Sequence, residues 1–443
     1  MYKQLLLGVA LALLATSAMA ETMDLSQALA MAVAHRPLAE AARQQAEAAR
    51  FQASEARSYY LPKVSVAENF VVTNEPGNSM FMTLNQEQLD LRDPSLDLNH
   101  PGTTKDFETK ISLQQPLFNP DISYGYRQAQ QGAAAAAATA RRSEEQIAFG
   151  AFSSYLGVQQ AHAALAWAES YRKNASEVLR VAGQRREAGV GLKADELRAR
   201  VFLSAAERRL VTARNDLEIA RRRLALALGE PEAAVDIAID LTPELFAGRQ
   251  ETALMQRGDI EALSAQAKAA ELSYQQSRAA YLPRVGLLAS YSRHDSSTPF
   301  GNEGDGWNVG VGLSWDLFDG GRRASAKGHA TAMKRAIEAR RLDASRGARL
   351  QVEVARRRSE EARLNLKTAK EAVAEAEEGN RLTQDRYQAG LANLSDLLGT
   401  QSALDQARMD AVRAESALLM ALGNVQFQNG TFLKTFLPDE VNP

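Results

Sequence analysis

The side chains that could do chemistry are spread through this sequence without the spacing that a reactive site needs. There is no cysteine, and the histidines lie too far apart for the short ligand spacing of a zinc site. Gly310 and Gly312 lack the third glycine of a dinucleotide-binding loop. No serine or carboxylate constellation stands out from the surface charge, so we predict no enzyme, no metal and no cofactor. The histidines are His35, His100, His162, His294 and His329.

The first twenty residues have the plan of a secretory signal peptide. Lys3 is their one charge, residues 5–14 are apolar, and the small residues Ala18 and Ala20 form an Ala-x-Ala cleavage pattern. A retained membrane anchor is disfavoured because the apolar run has about half the length that spans a bilayer. With cleavage after Ala20, the exported chain carries 51 basic and 54 acidic residues, which does not favour a nucleic-acid partner.

Three landmarks occur twice in the same order and indicate an internal duplication. Each copy has an alanine-rich run that ends in Tyr-Leu-Pro, and the first copy is longer because it contains residues 74–103. We expect this insertion, rich in Asn, Asp, Pro and Leu, to be an exposed loop. The matched pairs are 35–62 with 256–283, 111–119 with 311–319, and 186–195 with 386–396.

Each copy is predicted to contain two strands followed by one long helix and a tip. The first repeat, 21–229, has strands at about 63–73 and 106–116, a helix at about 120–188 and a tip at 189–195. After a linker at 230–255, the second repeat, 256–424, has strands at about 284–293 and 306–316, a helix at about 320–389 and a tip at 390–396. Residues 425–443 form a tail.

The strands alternate apolar and polar residues, with Glu68 as a lapse on the apolar side. Such alternation is typical of a soluble hairpin on a core. Two features favour a lipid-facing surface. The runs are about ten residues long, as in a transmembrane β-strand, and Trp307 and Trp315 are far enough apart to reach both membrane interfaces. The predicted lipid-facing residues are Trp307, Val309, Val311, Leu313 and Trp315.

The two long helices begin at Asn119-Pro120 and at Asp319, which suit helix starts. They run without proline to Gly189 and Gly390, and nearly 70 residues of helix measure about 100 Å. That length suits an object that crosses the periplasm. Because the smallest closed barrels need about eight strands, a chain with four must assemble. Two copies would give eight strands and an interior filled by side chains, and three copies would give twelve strands and a pore.

The sequence resembles the TolC family of outer-membrane efflux proteins over essentially its whole mature length. The resemblance rests on the duplicated Tyr-Leu-Pro junctions, the Leu-Phe-Asn-Pro and Leu-Phe-Asp-Gly-Gly turns, and the paired Gly-x5-Asp tips. It implies a mainly α fold with a transmembrane β part: a homotrimer with a 12-stranded outer-membrane β-barrel, a 12-helix periplasmic α-barrel and an equatorial belt.

The resemblance also implies a function, which is to serve as the exit duct of a tripartite efflux pump or type I secretion system. The expected partners are a periplasmic adaptor protein, an inner-membrane transporter of the RND, ABC or MFS type, and outer-membrane lipid. The alternatives are a periplasmic coiled-coil structural protein, which would explain the helices but not the strands, and an enzyme, for which no site is visible.

The resemblance also assigns two sites on the helical part. Adaptor docking is expected at the tip residues Gly189, Val190, Gly191, Leu192, Gly390 and Leu391. The periplasmic gate is expected at Tyr387, Leu394, Asp396, Leu397 and Leu398. Gly399 and Ala392 replace the family's second gate carboxylate and an arginine that partners the tyrosine, so we expect closure held more by leucine packing than by charge. Asp396 could instead serve as a favourable acid at a helix N-terminus.

Overall fold

Helices dominate the fold, and a four-stranded sheet forms its β part. The computed structural model describes residues 21–246 and 257–437, so the predicted signal peptide, part of the linker and the last six residues lie outside the described residues. The helices are α1 (Leu25–His35), α2 (Pro37–Ser58), α3 (Pro76–Asn85), α4 (Pro120–Glu187), α5 (Lys193–Leu228), α6 (Gly258–Ala279), α7 (Arg322–Gln388), α8 (Leu394–Asn429) and α9 (Phe432–Phe436). The strands are β1 (Glu21–Met23), β2 (Lys63–Thr73), β3 (Thr104–Phe118), β4 (Val235–Ile237), β5 (Arg284–Asp295) and β6 (Gly304–Ser314).

The chain forms two compact units. Among the described residues, one unit comprises 21–43, 140–246, 257–258 and 345–437 and contains α1, α5, α8 and α9 with the parallel pair β1–β4. The other unit comprises 44–139 and 259–344 and contains the antiparallel sheet in the order β2-β3-β5-β6. None of the described helices has the length and hydropathy to cross a membrane.

The four-stranded sheet has one exposed apolar face. Strand register places Val66, Ile111, Tyr291 and Trp307 side by side in a row across all four strands. On the same face, the next row toward the turns of the hairpins is polar on every strand, and Glu68 belongs to it. The lapse in the alternation of β2 is therefore part of a polar border. Its members are Glu68, Thr109, Arg293 and Asp305.

Several element bounds differ from those expected. α7 begins at Arg322 because the Asp319 carboxylate accepts from the backbone N–H groups of Gly321 and Arg323, at 3.2 and 3.0 Å, and so forms a turn before the helix. β6 ends one residue before Trp315, and α8 runs five residues past the expected repeat boundary to Asn429. The insertion 74–103 is not wholly a loop, because it contains α3.

Aromatic rings fill the largest core, which lies in the unit with β1 and β4. Phe152 and Phe432 are fully buried, with ring centroids 5.4 Å apart. The hydroxyl of buried Tyr155 donates to the carbonyl oxygen of Ile239 at 2.7 Å and lies 3.2 Å from that of Met23. The Tyr155 side chain of α4 therefore contacts both the end of β1 and the segment that follows β4.

Candidate functional site

The two tips, where α4 turns into α5 and α7 turns into α8, share one backbone design. At the first tip, the N–H of Val190 donates to Arg185 and that of Gly189 to Arg186, both at 3.0 Å. At the second, Leu391 and Gly390 repeat the same pattern at 2.8 and 3.1 Å. Gly189 and Gly390 have φ values of +77° and +76°, which favour glycine. Both tips are therefore Schellman helix ends.

Large apolar side chains are exposed at both tips. Val190 is 70% exposed, Leu192 is 68% exposed and Leu391 is 70% exposed. The Schellman turn accounts for the glycines, but it does not require branched apolar residues after them. Gly191, between Val190 and Leu192, lies too close to the end of α4 for a side chain, because a Cβ there would approach the backbone nitrogen of Arg186 to 2.8 Å.

Asp396 takes part in the N-terminal cap of α8. The Asn393 side chain accepts from the backbone N–H of Asp396 at 2.9 Å, and the Asp396 carboxylate accepts from the backbone N–H of Asn393 at 3.3 Å. This reciprocal pair is a capping box, and Asp396 is otherwise exposed. The helix-end role considered from the sequence is therefore present in the structure.

Four of the five expected gate residues, all except the exposed Asp396, pack against helices of the first tip. Tyr387, Leu394 and Leu397 are nearly fully buried, at 5%, 1% and 5% exposure. They form one cluster with Ala182 of α4 and Ala199 of α5, and Leu398 packs on its edge. This cluster, which we call the tip cluster, joins all four helices that meet at the two tips.

Arg185, which lies at the first tip, contacts Tyr387 of the tip cluster. Its guanidinium donates to the backbone carbonyl of Tyr387 at 2.8 Å and lies 5.0 Å from the centroid of the tyrosine ring. Burial raises the pKa of the Tyr387 hydroxyl, and the positive charge of Arg185 opposes that rise. Sequence comparison within the second repeat missed this residue because Ala392 stands where an arginine partner was expected.

The histidines and carboxylates form no cluster of three that could hold a metal within residues 21–246 and 257–437. Four histidines instead each contact one carboxylate. The pairs are His35 with Glu230, His100 with Asp97, His162 with Asp236, and His294 with Asp106.

The residues expected to face lipid lie on or next to β6 and are exposed. Trp307 is 77% exposed, and Val309, Val311 and Leu313 are 60–66% exposed. Trp315 follows the strand, and its indole N–H donates to the carbonyl of Tyr281 at 2.9 Å. That bond joins the end of β6 to the Tyr-Leu-Pro segment before β5.

Comparison with known proteins identifies the family. The profile of the family described as "Outer membrane efflux protein" matches residues 28–230 and 250–430. The chain belongs to this family. Members of the family reside in the outer membrane and act as efflux channels, so the protein is an outer-membrane channel that extends into the periplasm.

Individual relatives support the family assignment. The alkaline protease secretion protein AprF of Pseudomonas aeruginosa is 24% identical over 73% of this chain and 69% of its own length. The outer membrane efflux protein BepC of Brucella suis is 28% identical over 68% of each chain. The crystal structure of the outer membrane protein VceC from Vibrio cholerae aligns with a TM-score of 0.78 at 19% identity, covering 92% of this chain and 96% of that one. The chain therefore shares the fold of that structure.

Proposed function

We propose that this protein is the passive exit duct of a tripartite efflux pump or type I secretion system. The observation that carries the proposal is the four-stranded sheet, which exposes a continuous apolar face in a chain that also has two helices of nearly 70 residues. Water disfavours such a face, whereas a bilayer favours it. The duct does no chemistry and takes its energy from the inner-membrane transporter.

Three copies would complete the barrel. The sheet ends in β2 and β6, two edge strands of 11 residues that have no partner among the described residues of one chain. Long unpaired edges invite pairing with another chain. Because β2 and β6 run in opposite directions, β6 of one copy can pair antiparallel with β2 of the next. Twelve strands and a 12-helix periplasmic barrel, built from two internal repeats per chain, would result.

The helical part offers further support for a trimer. α5 exposes apolar side chains at spacings of 4, 10, 8 and 7 residues, which place them on one helix face. A second copy is the occupant that the proposal assigns to this stripe. The residues are Leu197, Val201, Val211, Ile219 and Leu226.

The lipid-facing band of the barrel has two borders. On the outer side, the polar row that contains Glu68 and Arg293 borders the row of Tyr291 and Trp307. Aromatic residues of this kind suit a membrane interface, and charged residues suit the water beyond it. At the other end of β6, Trp315 marks the periplasmic border. Between them, Val309, Val311 and Leu313 would face hydrocarbon.

The tips are the proposed docking surface for a periplasmic adaptor. Val190, Leu192 and Leu391 expose apolar surface at the ends of the helices, where folding of the chain gains nothing from it. Docking on an adaptor would bury these side chains. We propose further that the tip cluster of Tyr387, Leu394 and Leu397 holds the periplasmic end closed, with Arg185 fastening the tyrosine.

Cell fractionation tests the proposed function. We expect the protein in the outer membrane as a trimer that requires detergent and changes its electrophoretic mobility on heating. The alternative, a periplasmic coiled-coil structural protein, predicts a protein released in soluble form by osmotic shock. A soluble monomer would overturn the duct.

A further inference from the structure

We propose that α3, inside the insertion 74–103, forms a second constriction at the exit end of the barrel, lined by Phe81 and Leu84. The inference rests on the proposed function, because it needs the sheet to close with its polar face inward. It concerns which solutes pass, and it is separate from the periplasmic gate.

The helix is docked on the polar face of the sheet. At its C-terminal end, the Gln86 amide donates to the Asp106 carboxylate at 2.9 Å and to the carbonyl of Lys105 at 2.7 Å. Asp106 also contacts Nδ1 of His294 on β5 at 2.9 Å. Gln86 and Asp106 are only 2% and 4% exposed, so this polar cluster is enclosed.

Two more contacts fix α3 to the same face. The hydroxyls of Ser79 and Thr104 are hydrogen-bonded at the start of β3. On β6, Gly304 leaves room for the end of the helix, because a Cβ there would lie 2.1 Å from the carbonyl oxygen of Asn85. Register places Thr104, Asp106, His294 and Gly304 on the side opposite Trp307 and Val309.

The apolar side of α3 points away from the sheet. Ser79, Thr83 and Gln86 share the face toward the strands, as their spacing of 4 and 3 residues requires. Phe81 and Leu84 lie on the other side and are 60% and 50% exposed. In a closed barrel, that side faces the pore axis. Three copies would then bring six apolar side chains into the mouth, and an apolar constriction resists the passage of ions and water.

A disulfide trap tests the docking without interference, because the chain has no cysteine of its own. In the double variant Ser79→Cys, Thr104→Cys, mild oxidation of the assembled protein should give an intramolecular disulfide in nearly every chain. The control pair Ser79→Cys, Ser112→Cys places the second thiol on the same face but eight residues further along β3, and it should not cross-link. Absence of the first cross-link, or equal yield in both, would overturn the docking.

Conductance in planar bilayers tests the constriction. Phe81→Ala should raise the single-channel conductance measurably, although by several-fold less than removal of the whole periplasmic gate would. It should also admit larger polyethylene glycols from the outer side. The control is Asn78→Ala, which should change neither property, because in the described part of the chain the Asn78 side chain bonds its insertion neighbour Glu75. Trimers of Phe81→Ala that insert and match the wild type in conductance and in polyethylene glycol entry would overturn the inference alone. Failure of the wild-type protein to form any channel would instead overturn the proposed function.

Discussion

At the scale of single residues, Asp405 should make stability depend on pH. It lies in α8 and is 4% exposed. Burial raises the pKa of Asp405 from 3.8 to about 6, while Trp167, Arg209 and Arg408 act in the opposite direction. The unfolded chain therefore loses this proton at lower pH than the folded protein does. As pH rises from about 4 to 6, the free energy of unfolding therefore falls. The loss is of the order of 3 kcal/mol, because each unit of pKa difference between the two states corresponds to about 1.4 kcal/mol.

Asp405→Asn should remove this loss. The variant is expected to unfold at a higher temperature than the wild type at pH 8, and the difference should shrink toward zero near pH 4. Thermal unfolding of detergent-purified protein at both pH values measures it. Asp410→Asn, which removes an exposed carboxylate of the same helix, is the control. A gain in Asp405→Asn that is equal at both pH values would contradict the assignment.

Arg185 should matter for closure of the periplasmic end. Arg185→Gln removes the ring contact and the charged hydrogen bond to the Tyr387 carbonyl, so we expect more frequent openings in single-channel recordings. Arg180→Gln is the control, because within the described residues the hydrogen bonds of Arg180 go to Glu177 and Gln184 on its own helix. Identical gating in the two variants would show that Arg185 does not fasten the tip.

The same recordings rank packing against charge at the gate. Leu397 is buried in the tip cluster, whereas Asp396 is exposed in a capping box. Leu397→Ala should therefore raise resting conductance more than Asp396→Asn does, and Asp396→Asn should mainly weaken cation preference. The reverse order would mean that charge holds this gate shut.

Much of the tip could be predicted at this scale, and one part could not. Leucines at three- and four-residue spacing after a glycine indicate a packed helix start, which is what Leu394 and Leu397 form. The contact between Arg185 and Tyr387 joins residues that are 202 positions apart. Neither local spacing nor the repeat alignment contains a signal for it, since the partner comes from the other tip.

At the scale of elements, the tips should be needed for docking and not for folding. Val190→Asp with Leu391→Asp adds charge to two exposed side chains and leaves the Schellman bonds intact. We expect export to fail while the amount of outer-membrane trimer stays the same. Val190→Thr, similar in shape and uncharged, should keep export. Loss of the trimer in the aspartate variant would show that these residues are structural.

The facing of the strands gives a second element-scale test. Val311 lies mid-strand on the apolar face of β6, and Gly312 follows on the polar face. Val311→Arg should cost about 2–4 kcal/mol per chain at the midplane of the bilayer and lower the yield of inserted trimer. Gly312→Arg should insert better. Equal losses on semi-native gels would show that the facing is wrong.

Strand and helix positions follow closely from sequence signals that are local. Alternation marks β2, and Asn119-Pro120 marks the start of α4. α3 escaped prediction because a helix of ten residues between Pro76 and Asn85 is too short for a clear apolar period. The polar border through Glu68 was invisible for another reason: it appears only when four strands are in register.

At the scale of the whole molecule, one chain is incomplete as a barrel. Its described residues present two free strand edges, an apolar sheet face and an apolar stripe on α5. The proposed assembly of three copies within a bilayer would cover all of these surfaces. The family profile over 28–230 and 250–430 supports a channel, and the proposed trimer would add the geometry that a channel needs.

Single-channel recording of the purified outer-membrane protein, with the wild type and Leu397→Ala measured side by side, tests the exit duct most directly. We predict discrete openings in planar bilayers from both proteins, with longer or larger openings when the buried leucine of the tip cluster is truncated. Purified trimers of both proteins that insert into the bilayer and never conduct would contradict the account.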